Sequence, residues 1–182
     1  MQKTAIVLLA EGFEEIEAVT IIDVLRRSGV LVDACGINTI KVQGSRGISI
    51  STDLILKDAN NRYDALALPG GLAGSKNLVA DKRVKEMLIQ AKALNKLIAA
   101  ICASSALVLA PLGILDGRSA TCYPGMENNF SKTTKYVNDH VVVDGNIITG
   151  SGPAAALKFA LALVNSLCGK SVSDKTAGGL LI

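Results

Sequence analysis

Short runs of apolar residues alternate with longer segments of helical periodicity along this chain. A short apolar run bounded by turn residues is typical of a buried strand, and apolar positions recurring about every 3.6 residues predict a helix. Strands and helices that alternate in this way favour a parallel sheet covered by helices on its faces. The runs predicted as buried strands are 4–10, 31–35, 64–68 and 97–101.

Helices and hairpins are predicted between these strands. The first helix has acidic residues in its first turn, basic residues in its last turn and Gly29 as its stop, as the helix dipole and C-cap rules favour. The predicted elements are helices over 13–28, 82–94 and 153–168, hairpins over 40–50 and 141–149, the latter turning at Asp144-Gly145, and a short strand over 118–122.

Cys102 stands where the run 97–101 passes into a helical pattern that begins with small residues. A side chain at such a strand-turn-helix elbow lies beyond the carboxyl end of the sheet, and the first amides of the helix point at it. Those amides stabilise a thiolate, so the pattern predicts a lowered thiol pKa and a nucleophile. The alternative is that Cys102 is a small apolar residue of a core strand.

Glu17 is predicted to carry its carboxyl on an apolar helix face. Phe13 and Ile21 lie four residues from it and Val24 lies seven away, so all of them share that face. Burial raises the pKa of a carboxyl and lets it donate a hydrogen bond. The alternative is a glutamate whose head reaches solvent at the rim.

A pair of glycines, Gly70-Gly71, follows the strand 64–68. Adjacent glycines adopt backbone conformations that other residues resist and leave an amide free to face a site. Because the carboxyl ends of parallel strands meet at one edge of a sheet, these glycines are expected close to Glu17 and Cys102.

Composition narrows the class of protein. The 182 residues are 49% hydrophobic, with a net charge of +3 and scattered basic residues, which suits one domain over 1–182 and no nucleic-acid partner. The start leaves no room for a signal peptide and no run reaches the roughly 20 apolar residues of a membrane span, so a soluble cytoplasmic protein is expected. Four separated cysteines and one histidine predict free thiols and no metal site.

Three motifs together resemble the ThiJ/PfpI superfamily, in particular the branch of the parkinsonism-associated deglycase and glyoxalase III-like proteins. They are Glu11-Gly12-Phe13-Glu14-Glu15-Ile16-Glu17, Leu68-Pro69-Gly70-Gly71 and Ala99-Ala100-Ile101-Cys102-Ala103. The resemblance extends from the first strand to about Cys168. It implies a homodimer with a flavodoxin-like three-layer sandwich, a mostly parallel central sheet and a nucleophile elbow like that of class I glutamine amidotransferases.

The resemblance also assigns roles to residues. It implies that Cys102 and Glu17 are catalytic and hydrogen-bonded to each other. The amides of Gly71 and Ala103 are expected to hold an anionic oxygen. The remaining expected positions are Gly70, Tyr123 and Ser104 in the pocket wall, and Arg46 and Arg27 near the dimer interface and the site.

The chain departs from that pattern in two places near the elbow. Tyr123 stands where the human-type branch has a histidine, and Ser104-Ser105 stands where relatives often have glycine or alanine followed by proline. His140, the obvious alternative partner for a cysteine nucleophile, opens a hairpin strand and is expected at the surface, away from Cys102.

Two functions are compatible with this site. The first is cofactor-free attack of the Cys102 thiolate on a small reactive aldehyde such as methylglyoxal or glyoxal, free or as an early glycation adduct, with Glu17 carrying protons. The alternative is a redox-responsive oxidative-stress protein or chaperone in which the same thiol is oxidised to a sulfinate.

Overall fold

Eleven strands and five α-helices make up the part of the chain that the computed structural model describes, residues 2–60 and 62–182. The strands are β1 (Thr4–Leu9), β2 (Leu31–Gly36), β3 (Lys41–Gln43), β4 (Ser49–Ser51), β5 (Leu54–Ile55), β6 (Ala65–Leu68), β7 (Leu97–Ile101), β8 (Ser119–Ala120), β9 (Lys135–Tyr136), β10 (Val141–Asp144) and β11 (Ile147–Gly150). The helices are α1 (Glu15–Arg27), α2 (Leu72–Ala80), α3 (Lys82–Ala93), α4 (Ala156–Cys168) and α5 (Lys170–Gly179).

Seven of these strands form the central sheet, in the order β10-β11-β7-β6-β1-β2-β5. All neighbours in it are parallel except β10, which runs antiparallel to β11. The pairs β3-β4 and β8-β9 lie outside it as two small sheets. The mostly parallel sheet predicted from the apolar runs is therefore confirmed.

Helices cover both faces of this sheet because its inner strands are apolar on both sides. In β1, Val7 packs in the core formed with α1 and α4, whereas Ile6 packs in the core formed with α2 and α3. This alternation follows from the two-residue period of a strand. The result is the three-layer α/β sandwich expected from the sequence.

The order of the strands reverses at β1. The chain passes from β1 to β2 on one side, and later returns to β6 and β7 on the other. In open α/β sheets the crevice outside the carboxyl ends of the strands at such a reversal is where ligands bind. Here that crevice lies beyond the ends of β1 and β6.

The structure corrects several predicted boundaries. Helix α1 begins at Glu15 rather than residue 13, because Gly12 and Phe13 pair with the β3-β4 hairpin and Glu14 caps the helix by accepting a hydrogen bond from the Glu17 amide at 2.8 Å. Helices α2 and α5 were not predicted; both contain glycine, serine and threonine or asparagine residues that are poor helix formers.

Two turns also differ from the prediction. The elbow is followed by a short π-helical segment, Ser105–Leu109, and not by a regular α-helix. The β10-β11 hairpin turns at Gly145-Asn146, one residue later than predicted, with Gly145 at a φ of +61°. Within the described residues, no helix has the length and apolar character needed to cross a membrane.

Candidate active site

Cys102 occupies a strained elbow directly after β7. Its φ is +62°, in the left-handed region that a residue with a side chain rarely adopts. Its amide donates to the carbonyl of Gly150 at 2.8 Å, and its carbonyl accepts from the amide of Tyr123 at 3.3 Å. These two bonds hold the strained turn from both sides, which is the arrangement expected where strain serves a function.

Glu17 projects from the first turns of α1 and is fully buried. Its Oε2 accepts a hydrogen bond from the Gly70 amide at 2.6 Å, and its Oε1 has no hydrogen-bond partner of normal geometry among the described residues. The Cys102 thiol lies close enough to this carboxyl for each group to shift the other's pKa. The alternative of a rim glutamate reaching solvent is thus wrong.

The environment of Glu17 favours its neutral form. Burial raises its pKa to about 7, against the Gly70 hydrogen bond, and the nearby charge of Glu14 adds to the increase. A buried carboxylate with one oxygen unpartnered is costly, whereas a protonated carboxyl can donate from that oxygen. Glu17 is therefore able to hold a proton near neutral pH beside the sulfur.

The expected lowering of the Cys102 pKa by a helix N-terminus is not found. Burial and an ionised Glu17 raise the pKa of the thiol to about 12, and the amides of Ala103 and Gly71 act against that increase. The short π-helical segment supplies individual amides and no long helix dipole. Protonation of Glu17 removes the second of the two causes that raise the thiol pKa, the repulsion between like charges, and leaves the larger one, burial.

The Gly70-Gly71 loop must be glycine at both positions. A Cβ on Gly70 would lie 2.6 Å from the Cys102 Cβ, and one on Gly71, which has a φ of +88°, would lie 2.3 Å from the Gly12 carbonyl oxygen. The loop therefore approaches both the elbow and the entry of α1 closely enough to bring its amides to Glu17 and Cys102. Gly70 is buried behind the sulfur, so its predicted place in the pocket wall is corrected to that of an amide holding Glu17.

An open cleft of about 750 Å³ lies in front of the sulfur. Cys102 is 7% exposed and reaches this cleft, whereas Glu17 does not. The residues lining it include Arg46, Gly71, Cys102, Ala103, Tyr123 and Met126. Tyr123 is thus in the cleft wall, as predicted, and small molecules have direct access to the thiol.

The predicted position of Ser104 is wrong, and Arg27 lies away from the cleft of its own chain, while its expected place near the dimer interface stays a prediction. Ser104 is fully buried behind the elbow, where it hydrogen-bonds to Pro69 and Ser75, and it does not line the cleft. Arg27 lies at the far end of α1, paired with Asp23 at 2.7 Å. A helix of this length spans about 20 Å, so Arg27 is remote from the cleft of its own chain.

Glu15 is a site residue that the sequence reasoning missed. Its buried carboxylate accepts from the Arg46 amide at 2.6 Å, the Ser45 hydroxyl at 3.1 Å and the Ile48 amide at 3.4 Å, which fastens the hairpin tip to α1. Burial acts to raise its pKa, but these hydrogen bonds outweigh it and the pKa is lowered. The sequence shows Glu15 only as an acid two positions before Glu17. The hydrogen-bond partners that define its role lie some thirty residues away in the chain.

The other candidate residues lie outside the cleft. Cys35 and Cys122 are buried, and Cys168 is half-buried at the end of α4. His140 is exposed, as predicted, but its carbonyl accepts from the Ser151 amide at 2.9 Å, so it lies at the same carboxyl edge of the sheet. No three histidine, cysteine or acidic residues within the described ranges are grouped so as to hold a metal ion.

Comparison with known proteins identifies one family. The model of the DJ-1/PfpI family matches residues 3–166. Protein dj-1beta of Drosophila melanogaster is 41% identical over 100% of this chain and 98% of its own length. The glutathione-independent glyoxalase DJR-1.2 of Caenorhabditis elegans is 37% identical over 92% of this chain and 90% of its own. A solved structure described as oxidized DJ-1 of Toxoplasma gondii has a TM-score of 0.95 at 39% identity and covers 98% of both chains.

Proposed function

Because the chain belongs to the DJ-1/PfpI family, we propose that it is a cofactor-free enzyme that converts small reactive aldehydes through its Cys102 thiolate. The C. elegans relative named as a glutathione-independent glyoxalase supports this class of reaction. The observation that carries the proposal is a buried carboxyl with a raised pKa beside a thiol that opens on a cleft. The substrates proposed are methylglyoxal or glyoxal, free or as early glycation adducts.

In the reactive form of the pair the proton is on Glu17 and the negative charge is on the sulfur, where the amides of Ala103 and Gly71 act against the effect of burial on the thiol pKa. The thiolate attacks the aldehyde carbon. Once that carbon is bonded to the sulfur, Glu17, which lies beside the sulfur and outside the cleft, gives its proton to the carbonyl oxygen and a hemithioacetal forms. The amides of Gly71 and Ala103 stabilise the oxygen while it is negative. Attack therefore needs one nucleophile and one acid, and the site supplies both.

The hemithioacetal is then converted by moving hydrogen within the substrate. With methylglyoxal, the Glu17 carboxylate removes the proton from the former aldehyde carbon and returns it to the neighbouring ketone carbon, while the hydroxyl proton of the hemithioacetal passes to the ketone oxygen, which leaves the thioester of lactate. Water hydrolyses the thioester, releases lactate and restores the thiol. The carbon that is oxidised and the carbon that is reduced belong to the same molecule, so no cofactor is needed.

A second candidate function is oxidation of the same thiol in a stress-responsive protein or chaperone, in which two equivalents of peroxide add two oxygen atoms to the sulfur and are reduced to water. The T. gondii structure is described as oxidized, which favours it. Once Cys102 carries sulfinate oxygens, a protonated Glu17 can donate to one of them and slow further oxidation. Turnover distinguishes the two functions, because the thiol of a sensor is oxidised once, whereas the thiol of an enzyme is regenerated and converts further substrate.

The deciding experiment measures lactate formation from methylglyoxal by the wild type and by Cys102→Ser. The variant is expected to lose activity by a factor of at least about 10³, since a serine hydroxyl is not ionised beside Glu17. Cys35→Ser is the matched control, because Cys35 is another buried thiol and lies outside the cleft. Lactate formation that survives Cys102→Ser, or a wild type that only accumulates oxidised thiol, would exclude the enzyme proposal.

We also propose that the protein works as a cytoplasmic homodimer. Ile16 and Val19 on α1 and Ile48 on the hairpin tip are each at least half exposed, and Arg46 lies beside Ile48 in the chain. Apolar side chains that share an accessible surface in this way suit a contact with a second copy. Arg46→Ala should loosen the dimer with the fold intact, and sedimentation would reveal it; unchanged dissociation would remove Arg46 from the interface.

A further inference from the structure

We propose that Ser75 and Ser104 form a buried hydroxyl pair that positions the Gly71 amide at the Cys102 sulfur. The inference rests on the proposed role of Cys102 as the reactive thiol. It makes Ser75 and Ser104 positioning residues, because neither hydroxyl touches the cleft.

The direction of the hydrogen bonds in this pair is determined by its geometry. The Ser104 hydroxyl donates to the Pro69 carbonyl at 2.6 Å, which uses its one proton. The contact of 2.9 Å between the two hydroxyls therefore has Ser75 as donor. Both residues are fully buried, so the chain Ser75 to Ser104 to Pro69 has no competing water.

The two serine hydroxyls act on the site through the Pro69 carbonyl. Pro69 leads directly into Gly70, whose amide holds Glu17, and Gly71, whose amide lowers the pKa of Cys102. On its other side the loop is held by α1, since the Glu14 amide donates to the Gly70 carbonyl at 3.0 Å. The serine pair supplies the corresponding attachment on the elbow side.

Such an attachment is needed because two adjacent glycines have little conformational preference of their own. Gly71 has a φ of +88°, a conformation that glycine adopts without favouring it over others. Ser104 follows Cys102 by two residues and Ser75 lies in the first turn of α2, so the pair joins the elbow, the glycine loop and α2. The alternative is that the hydroxyls only satisfy a buried carbonyl and affect stability alone.

Ser105 provides a matched control for that alternative. It is also fully buried, and its hydroxyl donates to the Ala100 carbonyl at 3.0 Å. That bond stays within the β7 and elbow segment and does not reach the glycine loop. Ser104→Ala removes two buried hydrogen bonds, to Pro69 and from Ser75, and Ser105→Ala removes one at the neighbouring position; only the first releases Pro69.

The test is the pH dependence of Cys102 alkylation by iodoacetamide, measured together with thermal unfolding of each variant. Alkylation reports on the thiolate whether or not the protein turns over an aldehyde, so failure of the proposed function would leave this readout intact. Ser104→Ala should slow alkylation at pH 7 by about tenfold and move the midpoint upward, because the Gly71 amide is no longer held at the sulfur. Ser105→Ala should lose the stability of one buried hydrogen bond, as Ser75→Ala does, with an unchanged midpoint.

A double variant tests whether the two hydroxyls act as one chain. Ser75→Ala should shift the midpoint in the same direction by less, because Ser104 still donates to Pro69, and Ser75→Ala/Ser104→Ala should be no worse than Ser104→Ala alone. If Ser104→Ala fails to fold, the Ser75→Ala shift carries the test. The proposal is overturned if Ser104→Ala, or Ser75→Ala in its place, keeps the wild-type midpoint, or if Ser105→Ala moves it equally.

Discussion

Two cysteines lie at the carboxyl ends of parallel strands in this protein and have opposite prospects for chemistry. Cys102 follows β7 and Cys35 is the penultimate residue of β2; both are at least nine-tenths buried, and in both burial raises the pKa to about 12. The first difference between the two cysteines is their backbone conformation. Cys35 stays in the strand with its thiol against the Gly36 carbonyl at 3.7 Å, whereas Cys102 has left it at a positive φ and opens on a cleft.

The acid beside each thiol makes the second difference. The charge of Asp33 helps to raise the pKa of Cys35, and the Asp33 carboxylate already accepts a hydrogen bond from the Tyr63 hydroxyl at 2.5 Å. Glu17 has an unpartnered oxygen and a pKa raised to about 7. Because Glu17 can take up a proton near neutral pH, its repulsion of a thiolate is removable. A removable charge, and not burial, distinguishes the reactive cysteine.

Exchanging the acid beside each cysteine should show the largest effect. Glu17→Gln keeps a neutral hydrogen-bond donor, but an amide cannot transfer a proton to or from the substrate. Aldehyde turnover should therefore fall by about 10²–10⁴-fold, while iodoacetamide still alkylates Cys102. Asp33→Asn, the same change beside Cys35, should leave turnover within about twofold because Asp33 acts on Cys35 and not on Cys102. Near-normal lactate formation by Glu17→Gln would withdraw the proton-carrying role from Glu17 and make Tyr123 the first candidate for it.

The pH dependence of stability should distinguish Glu17 from an ordinary surface acid. Its folded pKa of about 7 lies above the unfolded value of 4.5, so the folded state binds the proton more tightly. Stability from Glu17 is then intact below pH 4.5 and lost as the pH rises through 7, on the order of 3 kcal/mol in total. The free energies of unfolding of wild type and Glu17→Gln, measured by denaturant at several pH values, give this contribution by difference.

Glu15 is the matched control for that measurement, since it is also buried on α1. Its pKa is lowered, so its contribution is present at higher pH and lost as the pH falls. The difference between wild type and Glu15→Gln should therefore change with pH in the opposite direction. The same trend for both variants would mean that Glu17 is not held in its neutral form.

The order in which the thiols react should show a smaller but direct effect. With limiting iodoacetamide at neutral pH, Cys102 should be alkylated about tenfold faster than Cys35 or Cys122, which are buried away from the cleft. Cys168 is the stricter competitor because it is half-buried, and its pKa is raised by burial. Peptide mass analysis of wild type and Cys168→Ser gives the order, and prior modification of any other cysteine would contradict the elbow argument.

The sequence was sufficient to predict a residue's position where that position depends on the residues next to it in the chain. The spacing of Glu17 from Phe13, Ile21 and Val24 predicted its burial, because helix periodicity determines which side chains share a face. The apolar run ending at Cys102 predicted the elbow for a similar reason. The identities of Gly70 and Gly71 indicated unusual backbone conformations and an amide free to face the site; Gly71 has a φ of +88°, and the Gly70 amide donates to Glu17 Oε2 at 2.6 Å.

Positions that depend on a distant partner were missed or misplaced. Glu15 was passed over because its partners are the amides of the hairpin tip, and Ser104 was placed in the pocket wall because nothing local shows which side of the elbow it faces. Arg27 was expected near the dimer interface and the site; the length of α1 separates it from the cleft of its own chain, and its place at the interface stays a prediction.

The α/β layers, the sheet edge at which the site lies and the three segments that meet there could all be predicted from the sequence. They depend on strand and helix periodicity, which acts over neighbouring residues. The protonation of Cys102 and Glu17 could be inferred only from the folded structure. The pKa of each depends on burial, on an amide of Gly70 or Gly71 and on its contact with the other group, and Glu17, the glycine pair and Cys102 come from segments more than thirty residues apart. Electrostatics in a poorly solvated pocket depends on distances through space, which the order of residues does not contain.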